Sequence, residues 1–298
     1  MNTPLHQVGE NAIIQSLLHQ VPSNEQVLLG PGDDCAICVG DAQWDALLKT
    51  DVVVEGVHFV KDTPPALIGR KALARAISDI AAMGGIPRHA LITLLVHPSR
   101  SLESVQAIYQ EGIAPLARQY AISLAGGETS MLPQDGLIIN VALTGQVERG
   151  RAVLRSGAKA GDILCVSGYL GGSFESGRHL SFEPRLDLSR FLMQEKLAPR
   201  AMMDLSDGLA TDLPRLAAAS HLDYHLDADA LPCHQGCLAQ QALCDGEDYE
   251  LLMCFSPEQW QRVQTLHLPT PITAIGHMLD LDSQQGEQGQ LSGGWTHF

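Results

Sequence analysis

The sequence predicts an α/β protein built of α+β layers. Strand-type apolar runs alternate with segments of helical period in both halves of the chain. One segment, 65–85, reads as a long helix with both of its ends marked. The chain also has 298 residues, 45% of them hydrophobic, enough for substantial cores in about two domains of roughly 150 residues each.

The first element is a helix over 9–21, where Ile13, Ile14, Leu17, Leu18 and Val21 recur at helical spacing. Next comes "GPGDDCAI" at 30–37, a glycine- and proline-bent stretch with two adjacent carboxylates, Asp33 and Asp34, entering an apolar element at Ala36. Side by side there, they repel each other and lose hydration, so either the turn is solvated or something positive sits beside them. Residues 45–59 are β-rich and interrupted by charges, Asp51 among them. The 65–85 helix has Pro65 in its first turn and Gly84-Gly85 at its stop. A buried strand follows at 89–98, a helix at about 102–119, a strand at 121–126, the motif "GGETS" at 126–130 and a strand at 136–147.

A Gly- and Arg-rich seam at 148–168 places a domain boundary near residue 149. The second half reads as helices near 172–179, 188–196 and 208–220, with strands near 163–167, 222–226, 249–255 and 271–276. The tail at 282–294 is rich in Gln and Gly and reads as a surface loop.

The formal net charge of −15 argues against binding nucleic acid or an anionic membrane, both of which want a basic face. No segment reaches the 18 or so apolar residues of a membrane helix, and the first residues lack the pattern of a signal peptide. A cytoplasmic protein with reduced thiols is expected. Its seven cysteines show no regular spacing, and Cys233, Cys237 and Cys244 lack the paired knuckle of a zinc site.

The chemistry lies in the carboxylates. Asp33, Asp34, Asp51, Asp79, Glu128, Asp204, Asp207, Asp212, Glu247 and Asp248 mostly stand beside Gly or Ser, or at the end of an element. Each has a plain reading alone. Asp207 suits a helix N-cap, Asp79 a pair with Arg75 four residues earlier, Asp51 a strand-edge charge and Asp33-Asp34 a turn. Together they suit a hard cation such as Mg2+, which takes oxygen ligands and substrate phosphates. There is no G-x-x-x-x-G-K-[ST] loop, so phosphate donors must come from elsewhere. "GYLGGS" at 168–173, ahead of the expected helix, and Arg155 are the candidates.

Taken in order, "GPGDDCAI", "TDVVVEGVHF", "RKALARAISDIAAMGG", "GGETS", "RSGAKAGDILCVSGYLG", "DLSDGLATDL", "GEDYELL" and "GGWTHF" resemble the thiamine-monophosphate kinases over nearly the whole chain. The resemblance implies a two-domain fold like that of the aminoimidazole-ribonucleotide-synthetase superfamily. Residues 1–148 would bind ATP and metal and pair between two copies into a dimeric β-barrel. Residues 149–298 would complete the phosphate and substrate site. The implied reaction passes the γ-phosphoryl group of ATP to thiamine monophosphate with the help of several Mg2+ ions.

Carried over residue by residue, Asp34, Thr50, Asp51, Asp79, Glu128, Asp204 and Asp207 resemble metal ligands, with Asp51, Asp79 and Asp207 at the catalytic centre. Gly127, Arg155 and Ser206 fall at nucleotide contacts, and His58, Glu247 or Asp248, and Trp295 at the substrate. The sequence departs from the family pattern in three places. Glu128 replaces an aspartate, Lys49 stands where a Ser or Thr is usual, and Asp245 where a Gly is usual. A sibling ATP-dependent enzyme with another substrate and a non-catalytic nucleotide-binding homologue are the alternative readings.

Overall fold

The computed structural model describes residues 7–8, 10–18, 21–281 and 293–294. The tail read as a surface loop lies almost wholly outside them, as does Trp295.

Helix α1 spans Glu10–Leu18. Strands β1 (Val27–Leu29), β2 (Ala36–Cys38), β3 (Trp44–Val54), β4 (Ile86–Val96), β5 (Ser123–Met131) and β6 (Leu137–Glu148) form one six-stranded sheet in the order β1-β2-β3-β6-β4-β5. β4 and β5 pair in parallel and the other neighbours are antiparallel. The sheet is open, and no closed barrel forms among the described residues of one chain. The "GGETS" motif lies inside β5 and not after it.

Helix α2 (Pro65–Ala82) crosses the inner face of this sheet, and thirteen of its eighteen residues are buried. Its ends follow the sequence: Pro65 occupies the first turn, where no hydrogen-bond donor is needed, and Gly84 just beyond the cap takes a φ of +72°. Beside it run α3 (Leu102–Ala107), a π-helical turn at Ile108–Ile113, and α4 (Ala114–Gln119). The expected single helix is therefore widened in its middle, where it meets α2 most closely. A Cβ on Gly69 would lie 2.1 Å from the Ile108 carbonyl oxygen, and one on Gly112 2.3 Å from that of Ala66. Both neighbours are backbone and cannot swing away. Gly69→Ala is expected to cost about 1–3 kcal/mol of stability, read as a lowered melting temperature with the secondary-structure content unchanged. An unshifted melting temperature would show that the two helices can separate freely.

The second sheet contains β7 (Ile163–Ser167), β8 (Ala201–Asp204), β9 (Asp223–Leu226), β10 (Leu251–Phe255) and β11 (Ile272–Leu279), ordered β8-β10-β7-β11-β9 and antiparallel throughout. Helices α5 (Leu186–Gln194), α6 (Leu209–Ala219), α7 (Ala239–Cys244) and α8 (Pro257–Val263) accompany it. The helix expected near 172–179 is absent. Gly171 and Gly172 both turn into positive φ there, and only a short 3₁₀ turn forms at Arg178–Leu180. One apolar core runs from α2 through α5 to Met202, Met253 and Phe255 of the second sheet, so the two sheets are packed through α2 and α5. Among the described residues no helix is long and apolar enough to cross a membrane.

Candidate active site

Asp34, Asp79 and Asp204 converge from three separate elements. Asp34 precedes β2, Asp79 is on α2, and Asp204 ends β8. One carboxylate oxygen from each lies within 4.8 Å of the others, and all three residues are buried. Among the described residues this is the one such cluster of three acidic, His or Cys side chains. Like charges this close and this dry repel strongly. Burial, followed by the charge of Asp34, pushes the Asp204 carboxyl up to about 6.

Fixed cations offset part of that repulsion. The Arg155 guanidinium pairs with Asp34 at 2.5 Å, and its backbone N–H donates to Asp33 at 3.1 Å. The positive group beside the Asp33-Asp34 pair is therefore Arg155. Burial and the neighbouring Asp34 still push Asp33 up to about 6. The Lys49 ammonium pairs with Asp79 at 2.6 Å. Burial works against charge on Lys49, but the carboxylates of Asp79 and Asp51 outweigh it and raise its pKa. Asp204 accepts a 2.7 Å hydrogen bond from the Ser78 hydroxyl. One buried oxygen of Asp34, Oδ2, has no hydrogen-bond partner. The site thus offers an unused ligand atom inside a nest of carboxylates. That donor set, hard oxygens with partly offset charge, fits a divalent cation such as Mg2+.

Asp51 stands on the same inner face of β3 as Lys49, because side chains alternate along a strand. It pairs with Arg75 at 3.2 Å, and Arg75 also donates to the Val52 carbonyl at 2.8 Å. The expected pair of Arg75 with Asp79 does not form; Asp79 takes Lys49. Thr50 points to the opposite, outer face and bonds Asn140 at 3.0 Å. Glu128 is also exposed on that side of the sheet, opposite Thr93, which faces Asn140, which faces Val52. Three strand spacings, about 14 Å, separate Glu128 from β3. Thr50 and Glu128 therefore stand apart from the buried trio within one chain. Beside Glu128, Gly127 allows a close backbone approach: a Cβ there would lie 1.9 Å from the Ile92 carbonyl oxygen.

Ser206 and Asp207 form the turn before α6. Asp207 does not cap that helix. Gly208 occupies the cap position, and Asp207 pairs with Arg215. Asp212 accepts from the Ser206 and Asp207 amides at 3.1 and 3.0 Å, and burial followed by the charge of Asp207 pushes its carboxyl up to about 8. "GYLGGS" is not a phosphate cradle either, because no helix starts there. The Gly171 amide donates to Asp248 and the Gly172 amide to Asp245. Asp248 is thus held as a loop anchor, and burial pushes it up to about 7.

A cavity of about 300 Å³, lined by His58, Arg75, Phe174, Ser206, Asp207 and Glu247 among others, adjoins this centre through Ser206 and Asp207, just past Asp204, and through Arg75, one turn before Asp79. Glu247 reaches it from a left-handed backbone, with φ +54° at Glu247 and +52° at Tyr249. Such strain in non-glycine residues gathers at functional sites. Here the 247 and 249 amides donate to the carbonyls of Ser206 and Leu205, at 2.7 and 2.8 Å, which hold the turn. Beneath the cavity Lys71, fully buried, donates to Glu247 at 2.6 Å and to the His58 carbonyl at 2.6 Å, and lies 2.7 Å from His179 Nδ1. Burial lowers Lys71 to about 8 despite Glu247. For Glu247 burial is outweighed by His179 and Lys71, which hold its carboxyl at about 2.

Lys71, Ser78 and His179 escape the reading of the sequence. A pattern for two of them was there. Lys71, Arg75, Ser78 and Asp79 recur at i, i+4, i+7 and i+8, a polar stripe on a helix whose only other charged residue is Arg70. His179 carries no comparable pattern.

The first sheet with its crossing helix defines the class: residues 32–147 match the family model of the AIR synthase related protein, N-terminal domain. The chain is 36% identical to the thiamine-monophosphate kinase of Bacillus subtilis (strain 168), with 91% of each chain covered. It superposes on the structure of AaThiL complexed with AMPPCP and TMP with a TM-score of 0.85 at 29% identity, covering 100% of both chains. The thiamine-monophosphate kinase from Stenotrophomonas maltophilia K279a gives a TM-score of 0.72 at 32% identity, over 91% of this chain and 92% of that one. The chain belongs to the thiamine-monophosphate kinase family.

Proposed function

We propose that the protein phosphorylates thiamine monophosphate to thiamine diphosphate with ATP and Mg2+. The observation that carries this reading is the placement of the buried Asp34–Asp79–Asp204 trio beside a cavity walled by His58 and Glu247. A relative described with an ATP analogue and TMP supports it.

Asp34, Asp79 and Asp204 hold Mg2+ in this reading, with Asp51 and Asp207 at the margin of the same site. Bound there, Mg2+ neutralises charge on the transferring phosphoryl group. Arg155 and Ser206 bind the nucleotide phosphates, and Gly127, on the far edge of the sheet, keeps its nucleotide role by resemblance alone. His58 and Glu247 orient thiamine monophosphate, with Glu247 facing the cationic end. A phosphate oxygen of thiamine monophosphate attacks the γ-phosphorus in line, and the bond to the bridging oxygen of ADP breaks. That phosphate is already ionised near neutral pH, so the residues position and neutralise and no strong general base is needed. Asp248 and Trp295 belong to the substrate end by resemblance.

The chain acts as a cytoplasmic homodimer in this reading. Leu48, Val52 and Leu91 expose an apolar outer face on the first sheet, which a second copy covers. Thr50 and Glu128 lie on that face, so pairing through it would bring both into the interface. Residues 1–148 then form the pairing domain and 149–298 the one that completes the site.

The test is direct. With ATP, Mg2+ and thiamine monophosphate, chromatography is expected to show thiamine diphosphate and ADP in equal amounts, and Asp51→Asn to lose nearly all of this turnover. ATP binding without either product would favour a sibling substrate or a retired site.

A further inference from the structure

We propose that Lys49 is a resident cation that takes the place of one divalent ion in the carboxylate nest. The inference rests on the metal reading above and concerns how many ions the site takes.

Position 49 is one residue from Thr50 and two from Asp51, and it faces inward with Asp51. A Ser or Thr there would present a hydroxyl with lone pairs for a metal. An ammonium has three donors and no acceptor, so it cannot be a ligand. Its Nζ instead sits 2.6 Å from an oxygen of Asp79, where it delivers positive charge directly. The side chain is mostly enclosed, at 22% exposure, and Asp79 is 8% exposed, so solvent screens the pair little.

The remaining contacts divide the nest in two. Arg155 covers one oxygen of Asp34 and Lys49 one oxygen of Asp79. Asp204 has the neutral Ser78 hydroxyl, and Asp34 Oδ2 is buried and unpartnered. An unused ligand oxygen for a divalent cation therefore remains on the Asp34–Asp204 side. On the Asp79 side an ion would have to displace or face a fixed ammonium, and the Coulomb cost of that approach is large in a buried site. The lysine also lets the carboxylates stay together before any metal arrives.

Bound Mn2+, used as the probe, can be counted by electron paramagnetic resonance with AMPPCP present. The Lys49→Ser chain is expected to bind one more Mn2+ than the wild type. Equal or lower occupancy in the variant, with the wild type binding at least one ion, would overturn the role of Lys49 alone. A wild type that binds no Mn2+ would overturn the metal reading itself. A second measurement needs no variant. In a Mn2+-loaded wild-type crystal Lys49 Nζ is expected to stay on Asp79, with the anomalous peak near Asp34 and Asp204. A Mn2+ peak on that Asp79 oxygen, with Lys49 swung away, would refute the proposal.

Discussion

Asp204→Asn is expected to lower turnover by about 10²–10³-fold while making the metal-free protein more stable. The two effects have one cause. Asp204 brings a third carboxylate within 4.8 Å of Asp34 and Asp79, and the partner it has for that charge is the Ser78 hydroxyl. Without a metal, burial and the charge of Asp34 outweigh what Ser78, Lys49 and Arg155 return to that charge. An amide keeps the shape and can still accept from Ser78, so the repulsion goes and the fold remains. With substrates bound, the same change removes a ligand oxygen from the proposed Mg2+ site. Activity that falls together with metal-free stability would mean Asp204 is a structural carboxylate. Denaturant melts in EDTA, run beside the turnover assay, separate the cases. A gain of stability with loss of function is the ordinary trade-off where a site stores repulsion for its ligand.

Lys71→Met is expected to have the largest effect on stability, a loss of about 3–5 kcal/mol. Lys71 is fully buried, and it holds the Glu247 carboxylate, the His58 carbonyl and the His179 ring at one point. Methionine fills nearly the same volume but leaves Glu247 charged and short of its main partner. Replacing both, as Lys71→Met with Glu247→Gln, is expected to recover part of the loss, because no stranded charge remains. Chemical denaturation of the two single variants and the double variant reads this coupling. Strict additivity would show that Lys71 acts by packing and not through Glu247. The KM for thiamine monophosphate is expected to rise in Lys71→Met more than the KM for ATP, since Glu247 and His58 are the walls that move.

Legibility followed the range of each interaction. Helix α2 was readable to within a few residues because its apolar period, Pro65 and Gly84 are all local features. Strands β6, β7 and β10 were readable as apolar runs. Strands β1 and β2, of three residues each, were not, and neither was β8, whose four residues are all buried and show no alternation. The helix expected near 172–179 does not form, because Gly171 and Gly172 turn the chain so that their amides donate to Asp248 and Asp245. Arg75 was misassigned for a related reason. Spacing offered Asp79 on the same helix, but β3 brings Asp51 closer to the guanidinium.

By itself the sequence determined the kinds of element, the inward face of α2 and the carboxylates that had to be explained. The repeated Asp residues beside glycine and apolar strands already required a counter-charge, since local chemistry sets that cost. Tertiary structure alone decided which of them meet, and which cation each receives. Asp34, Asp79 and Asp204 come from separate elements of the chain, and no local period relates them. Packing of α2 between β3 and β8 brings them together, gives Arg155 to Asp34 and Lys49 to Asp79, and leaves Asp204 with a hydroxyl. It also turns Thr50 and Glu128 to the opposite face, because alternation along β3 and the width of the sheet separate them from their neighbours in sequence and in space.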